Sequence, residues 1–417
     1  QTIPRLDREL AEVMLREVAS DVRKNYYDPK LHGVDWDSRI RETEQSIKRA
    51  PDSSEANAHI AALFESLQDS HTFFIPPRNT ARVDYGWKFG MVGKRCFVLT
   101  VKPGSDAAEK GVHPGDQVLS IEGFVPERQN QWSLQYAMKV LFPLNAVRVE
   151  LRDSARSVRR LNLTASVHVD KVILGMGDSY SNRDRWKAHI DAENEWSQRR
   201  TQFKELGPEL AVMRIYWFAQ VGREVDALFK KANSHRTLIV DLRGNPGGLE
   251  QSVVDHLADV LEHDATIATR VERNKQTPVK VKSNLHSQFG GKLIVLIDSR
   301  TASAGEIFAR VVQLEKRGNV LGDVSSGHTM ESRYFRHQTG NNPVYFYGSS
   351  VTISELLMQD GKSIEHVGVT PDQVILPTGA DLANERDPVL SRAAEMAGVK
   401  LTPEDAAKLF PKRPELD

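Results

Sequence analysis

A serine flanked by small residues, Thr301-Ala302-Ser303-Ala304-Gly305-Glu306, follows the apolar run Leu293-Ile294-Val295-Leu296-Ile297 and precedes the helical spacing of Ile307, Phe308, Val311 and Val312. The pattern predicts a buried strand, a tight turn and a helix. A hydroxyl at such a corner can be exposed, and the first N–H groups of the helix lack intrahelical acceptors. Nucleophilic attack with an oxyanion site is the chemistry this allows. An ordinary helix N-cap uses the same residues. A second corner, Asp241-Leu242-Arg243-Gly244-Asn245-Pro246-Gly247-Gly248, follows the apolar run from Thr237 to Leu242. Glycine lets a backbone N–H approach a substrate closely. An N–H at Gly247 or Gly248, with that of Ala304, could hold a developing oxyanion. Taken alone, the glycine pair reads equally as a tight turn.

Both corners need an α/β frame. Strand patterns at Leu210–Ile215, 237–242 and 293–297 alternate with helical patterns at Val221–Ala232, 253–261 and from 304 onward. This order predicts an α/β core over 207–417 that ends in a helical tail. Residues 5–70 carry helical spacing, as in Leu10, Val13, Met14 and Val18, and predict an N-terminal helical domain over 1–83. Short strand runs at 97–101, 117–121 and 147–151, separated by Pro-Gly and Glu-Gly turns, predict a β domain over 84–167. Residues 168–206, dense in charge and containing Trp186 and Trp196, read as an exposed helical link.

Composition excludes several classes. Of 417 residues, 56 are Lys or Arg and 56 Asp or Glu, so formal net charge is zero and no global field attracts nucleic acid. No apolar run approaches the roughly 18 residues that span a bilayer. Cys96 is the one cysteine, the histidines are scattered, and no cluster has zinc spacing, so neither metal nor cofactor is implied. The first residue is Gln1 rather than Met, which fits an exported, periplasmic or extracellular protein whose signal peptide is absent, and equally an arbitrary truncation.

The string from Pro103 to Gly123, PGSDAAEKGVHPGDQVLSIEG, resembles a PDZ domain of bacterial type. Such domains add an extended peptide to a sheet edge and hold its terminal carboxylate with backbone N–H groups. The resemblance implies a peptide-binding loop containing Gly86, Trp87, Phe89 and Gly90. The module could also serve as a spacer or gate with no ligand of its own.

Together, Asp241 to Gly248, Thr301 to Glu306 and Gly368-Val369-Thr370-Pro371-Asp372 resemble the motifs of the C-terminal-processing, or tail-specific, serine peptidases. The PDZ-like string before the core, and Tyr27-Asp28 within an N-terminal helical domain, match that family's order. The resemblance implies a spiral α/β core of the ClpP and crotonase type, with Ser303 as nucleophile. Many members carry a lysine base about 25 residues downstream of the serine; here that position is His328. A second branch, the tricorn-type peptidases and the chlamydial protease-like activity factor, uses a histidine from the N-terminal part and a late glutamate. Asp69-Ser70-His71-Thr72-Phe73 and Ile364-Glu365-His366-Val367-Gly368 resemble those two motifs. That likeness implies His71 as base and Glu365 orienting it, with Ser70 between them. His71 could otherwise satisfy a helix C-terminus, and His328 could be an alternative base.

The expected activity is serine endopeptidase, with a polypeptide bound near an unstructured C-terminus as substrate and homo-oligomers as in relatives. The alternatives are a binding protein on a peptidase-like scaffold and a non-peptidase acyl hydrolase.

Overall fold

The computed structural model describes residues 3–77, 81–169, 201–340 and 344–410. Its centre is a six-stranded sheet in the order Gln373–Val374, Gly318–Gly322, Lys292–Ile297, Thr237–Asp241, Leu210–Arg214 and Gln202–Leu206. All neighbours are parallel except the last pair. The central strands are apolar along their whole length because both faces are covered. Met213, Val240, Val295 and Val320 point to one face, against Phe229, Leu257, Phe308 and Val312 of the helices Arg223–Ala232, Glu250–Ala258 and Ala304–Leu314. Leu210, Val212, Ile239, Ile294 and Leu321 point to the other, against Val389, Leu390, Ala393 and Phe410 of the C-terminal region. The period-two alternation of each strand thus splits one apolar run between two cores.

The expected helical link over 168–206 falls largely on residues 170–200, with Trp186 and Trp196, outside the described residues. Its last residues are not helical. Gln202–Leu206 is the antiparallel edge strand of the central sheet, so the sheet begins before residue 207. Ser166–Val169 is likewise a strand, paired with Ala81–Asp84.

A second sheet brings together Phe73–Ile75, Tyr345–Met358, Ala265–Glu272 and Lys275–Val281, with Glu331–Thr339 also paired to Tyr345–Met358. The helices Arg5–Asn25, Trp36–Arg49 and Ser53–Glu65 do not close on themselves. Leu15, Val18, Ile47, Ile60 and Phe64 share one core with Phe74, Tyr347 and Val351 of this sheet and with Met330 just before its strand Glu331–Thr339. The N-terminal helices therefore use residues from the far end of the chain to bury their apolar stripes.

Between them, the antiparallel strands Trp87–Val92, Arg95–Val101, Gln117–Ile121, Ala146–Arg152 and Val158–Thr164 form a five-stranded sheet with its own core. Trp87–Val92 is an edge strand, and helix Gln131–Tyr136 with the π-helical turn Ala137–Leu141 lies beside it. The pairing of Ala81–Asp84 with Ser166–Val169 joins the two ends of this module. Arg128 docks it on the central core, donating to Asp323 at 2.6 Å and to the Val324 carbonyl at 2.8 Å.

Candidate active site

Ser303 stands where strand Lys292–Ile297 gives way to helix Ala304–Leu314, at φ 52° and ψ −121°. Positive φ is uncommon for a residue with a Cβ. Neighbouring groups hold it there. The Ser303 N–H donates to the Glu306 carboxylate at 3.0 Å and to the His328 carbonyl at 2.8 Å. Glu306 is fully buried and also accepts from the Ser325 hydroxyl and the Gly327 N–H at 2.6 Å, and from the His328 N–H at 2.9 Å. One carboxylate thereby fastens the serine turn to the 325–328 loop. Burial pushes the Glu306 carboxyl up to about 7, against the opposing pull of these donors.

The glycine corner is pressed against the serine. A Cβ on Gly247 would lie 2.5 Å from the Ser303 Cβ and 3.0 Å from its Oγ. Only glycine fits at that distance, and φ of 107° also requires it. Asn245 fixes the corner: its side chain donates to the Ile215 carbonyl at 2.7 Å, and its carbonyl accepts from the Ala302 N–H at 2.8 Å. Asn245 Oδ1 also takes the Gly247 N–H at 2.7 Å, so in this geometry that donor is occupied. Among the described residues, the N–H groups of Gly248 and Ala304 have no hydrogen-bond partner.

His71, Ser70 and Glu365 come together from opposite ends of the chain. Glu365 is buried at the loop after strand Tyr345–Met358. Its Oε1 accepts the Ser70 N–H at 3.0 Å and its Oε2 the Thr329 N–H at 2.7 Å. The Ser70 hydroxyl is 2.7 Å from His71 Nδ1. Glu365 thus reaches Ser70 through the backbone N–H, and Ser70 reaches the imidazole through its hydroxyl. Asp69 holds the turn by accepting the N–H groups of His71 and Thr72 at 2.9 and 2.7 Å, and the Thr352 hydroxyl at 2.7 Å. Residues 328 and 329 link the two halves, one holding Ser303 and the next holding Glu365. Burial lowers the His71 pKa below 6.5, against the raising charges of Glu365 and Asp69. Burial also lowers that of His328, which is joined to the serine turn through its backbone.

Asp241 and Arg243 act elsewhere. Arg243 bridges Asp241 and Asp387 with four bonds of 2.8 Å, tying the C-terminal helix Pro388–Met396 to the sheet. In the inserted module, Gly86 is in a tight turn: its N–H donates to Asp84 at 2.9 Å and its carbonyl accepts from Lys102. Trp87 and Phe89 are mostly buried and line a cavity of about 170 Å³ together with Met138 and Arg300. Gly90 packs on Leu99 and Arg300. Ser299, four residues before Ser303, donates its hydroxyl to the Met91 carbonyl at 2.5 Å.

Sequence reasoning passed over Glu306, Asn245 and Thr329 as individual contributors. For Glu306 a signal existed, since Ser-x-x-Glu ahead of an apolar run is the pattern of a capping box. Thr329 and Asn245 act through backbone and local geometry, which no spacing rule announces.

This arrangement, a serine corner against a glycine corner in an α/β core, has counterparts among known proteins. Residues 209–375, most of the core, match the model of Peptidase family S41. Residues 7–57 match the Tricorn protease C1 domain. Carboxyl-terminal-processing peptidase 3, chloroplastic, from Arabidopsis thaliana is 22% identical over 365 residues, covering 84% of this chain and 66% of its own length. The carboxyl-terminal-processing protease of Synechocystis sp. is 26% identical over 281 residues, covering 67% of this chain and 58% of its own. This chain thus spans less than two thirds of either curated relative. Among solved structures, mature CPAF superposes with a TM-score of 0.66 at 14% identity, over 91% of this chain and 94% of that one, a likeness of fold.

Proposed function

We propose that this chain is a serine endopeptidase acting on polypeptides, with Ser303 as nucleophile and His71 as its base. The observation that carries the reading is the continuous path Glu365, Ser70, His71, joined through residues 328 and 329 to a serine held at positive φ. His71 Nδ1 is engaged by Ser70, which leaves Nε2 to take the Ser303 proton as Oγ attacks the scissile carbonyl carbon. The carboxylates of Glu365 and Asp69 favour the imidazolium that forms. The carbonyl oxygen becomes an oxyanion, for which the N–H groups of Gly248 and Ala304 are the available donors. As the intermediate collapses, the C–N bond breaks and His71 returns the proton to the leaving amine. Water then adds to the acyl ester, giving its proton to His71; as the C–O bond breaks, His71 passes that proton to the Ser303 Oγ, which restores the hydroxyl and the neutral imidazole.

On this reading residues 84–167 are a PDZ-like module that receives the substrate C-terminus at the edge strand Trp87–Val92, in the cavity lined by Trp87 and Phe89. The test is labelling with a fluorophosphonate probe, with peptide mass spectrometry to locate the adduct. An adduct on Ser303 that is absent from Ser303→Ala is expected. Folded protein that takes no label there, with or without added peptide, would overturn the reading in favour of a binding scaffold.

A further inference from the structure

We infer that Phe73, Trp132, Tyr136 and Tyr334 form a subsite for a large apolar side chain of an extended polypeptide, beside the candidate active site. The occupant rests on the peptidase reading above; the rings themselves do not. In the second sheet, Phe73 and Tyr334 both stand opposite Ser350, one on each side of strand Tyr345–Met358. Residues in one such row project to the same face. The two rings therefore flank Ser350, which is fully buried and small, and their centroids approach to 6.4 Å. Ser350 bonds the Ser332 hydroxyl at 3.0 Å, so its own polarity is met beneath the rings.

The other two rings come from the inserted module. Trp132 and Tyr136 are one helical turn apart and stack at 5.0 Å with planes 9° apart. Phe73 meets them at 5.3 and 6.3 Å. The Tyr136 hydroxyl donates to the Phe74 carbonyl at 2.6 Å and fixes the helix over the strand. A cluster that served only to fasten the module would close its rings into the contact. Here Trp132 remains 38% and Tyr334 61% exposed. The Tyr334 ring contact is with Phe73, at 75° between planes. Rings already held in place lose little freedom when a side chain lands on them.

Position ties this wall to the site. Phe73 is two residues beyond His71, about 7 Å along extended chain. The strand bearing Tyr334 starts at Glu331, directly after the loop whose His328 carbonyl holds the Ser303 N–H. A polypeptide lying along either strand from Ser303 meets the rings within a few residues. An aromatic or large aliphatic side chain matches them in chemistry.

The test uses Ser303→Ala protein, which prevents turnover, and two fluorescein-labelled dodecapeptides of Ala, Gly and Ser. One carries a single central Phe and the other a Ser at that position. Anisotropy titration is expected to show the Phe peptide binding about tenfold more tightly. Tyr334→Ser, added to that protein, should bring the ratio close to one, whereas Tyr334→Phe should retain it, with melting temperatures checked for both. Equal binding of the two peptides, or a ratio that survives Tyr334→Ser, overturns the subsite. Discrimination seen alongside a Ser303 protein that neither labels nor hydrolyses supports the subsite while overturning only the peptidase reading.

Discussion

At the residue scale, Ser303 combines a backbone conformation that suits glycine with a side chain that glycine lacks. Such conformations cost about 1–3 kcal/mol and persist where the surroundings impose them. Ser303→Gly should therefore abolish fluorophosphonate labelling yet raise stability by about 1 kcal/mol in urea unfolding, whereas Ser303→Ala keeps the Cβ and the strain. A Gly variant no more stable than the Ala variant would show that the turn stores nothing. Bonding rather than pKa separates the proposed base from the alternative, since burial lowers the pKa of both histidines. His71 has a side-chain partner that leads to Glu365, while His328 is bound through its backbone. His71→Ala is expected to lower kcat/KM by about 10²–10⁴, and His328→Ala by less. Burial lowers the His71 pKa, so the neutral base persists below pH 6.5. The acid limb of kcat/KM against pH should accordingly fall below 6.5. A limb above 6.5, or His328→Ala as the more damaging change, would remove His71 from the role.

At the scale of elements, the site is two strand-to-helix corners locked by glycine and by one buried carboxylate. Gly247→Ala places a Cβ 2.5 Å from that of Ser303 and demands an unfavourable φ. Stability should fall by about 1–3 kcal/mol in the same unfolding assay, with labelling of Ser303 slowed in parallel. Normal labelling would mean the corners part without consequence. Glu306 makes a distinct forecast. Its folded pKa of about 7 exceeds the ordinary 4.5, so the folded protein binds the proton more tightly. Stability from this group is then full at low pH and declines as pH rises from about 4.5 to 7, by up to roughly 3 kcal/mol. Glu306→Gln removes the titration, so the stability of wild type relative to that variant should drop across this window; a constant difference would sink the assignment.

The strands of the central sheet were legible because burial on both faces makes them continuous apolar runs, as in Leu293 to Ile297. The second sheet was not. Glu331–Thr339 carries Glu, Arg, His and Gln because one side is exposed, and its alternation is blurred by Tyr334 and Phe335 standing side by side. Phe73–Ile75 has three residues and exists by pairing with residues 348–350, far away in the chain. The sequence resemblance could point to His71 and Glu365 individually. It could not give the bond from Glu365 to the backbone of Ser70, nor Asn245 occupying the Gly247 N–H, since both depend on loop geometry.

At the scale of the whole molecule, the inserted module is bound to the core at places that lead directly to the site. Asp323, at the end of strand Gly318–Gly322, accepts the Gly93 N–H at 2.8 Å and an Arg128 guanidinium N–H at 2.6 Å. Gly115 lies so close to the C-terminal region that a Cβ there would be 2.1 Å from the Gly379 carbonyl oxygen. Ser299 and Arg300, just before the serine turn, touch the edge strand and its cavity. The Asp323 contact is mostly buried and charged, whereas the contacts of Gly115 and Ser299 are neutral, so Asp323 should dominate the docking. Asp323→Ala removes the carboxylate that pairs with Arg128, whose bonds to the Gly93 and Val324 carbonyls remain, and leaves the Gly93 N–H without its acceptor. Hydrogen exchange in strand Trp87–Val92 should accelerate by roughly tenfold, the equivalent of one lost charged hydrogen bond partly compensated by water. Exchange in Thr237–Asp241, inside the central sheet, should stay unchanged. If both strands quicken together, the carboxylate is stabilising the whole fold; if neither does, the module is held by packing at Gly115 and the aromatic wall. A selective change would mean the module opens as a unit, moving the Ser299 and Arg300 contacts and thereby the approach to Ser303.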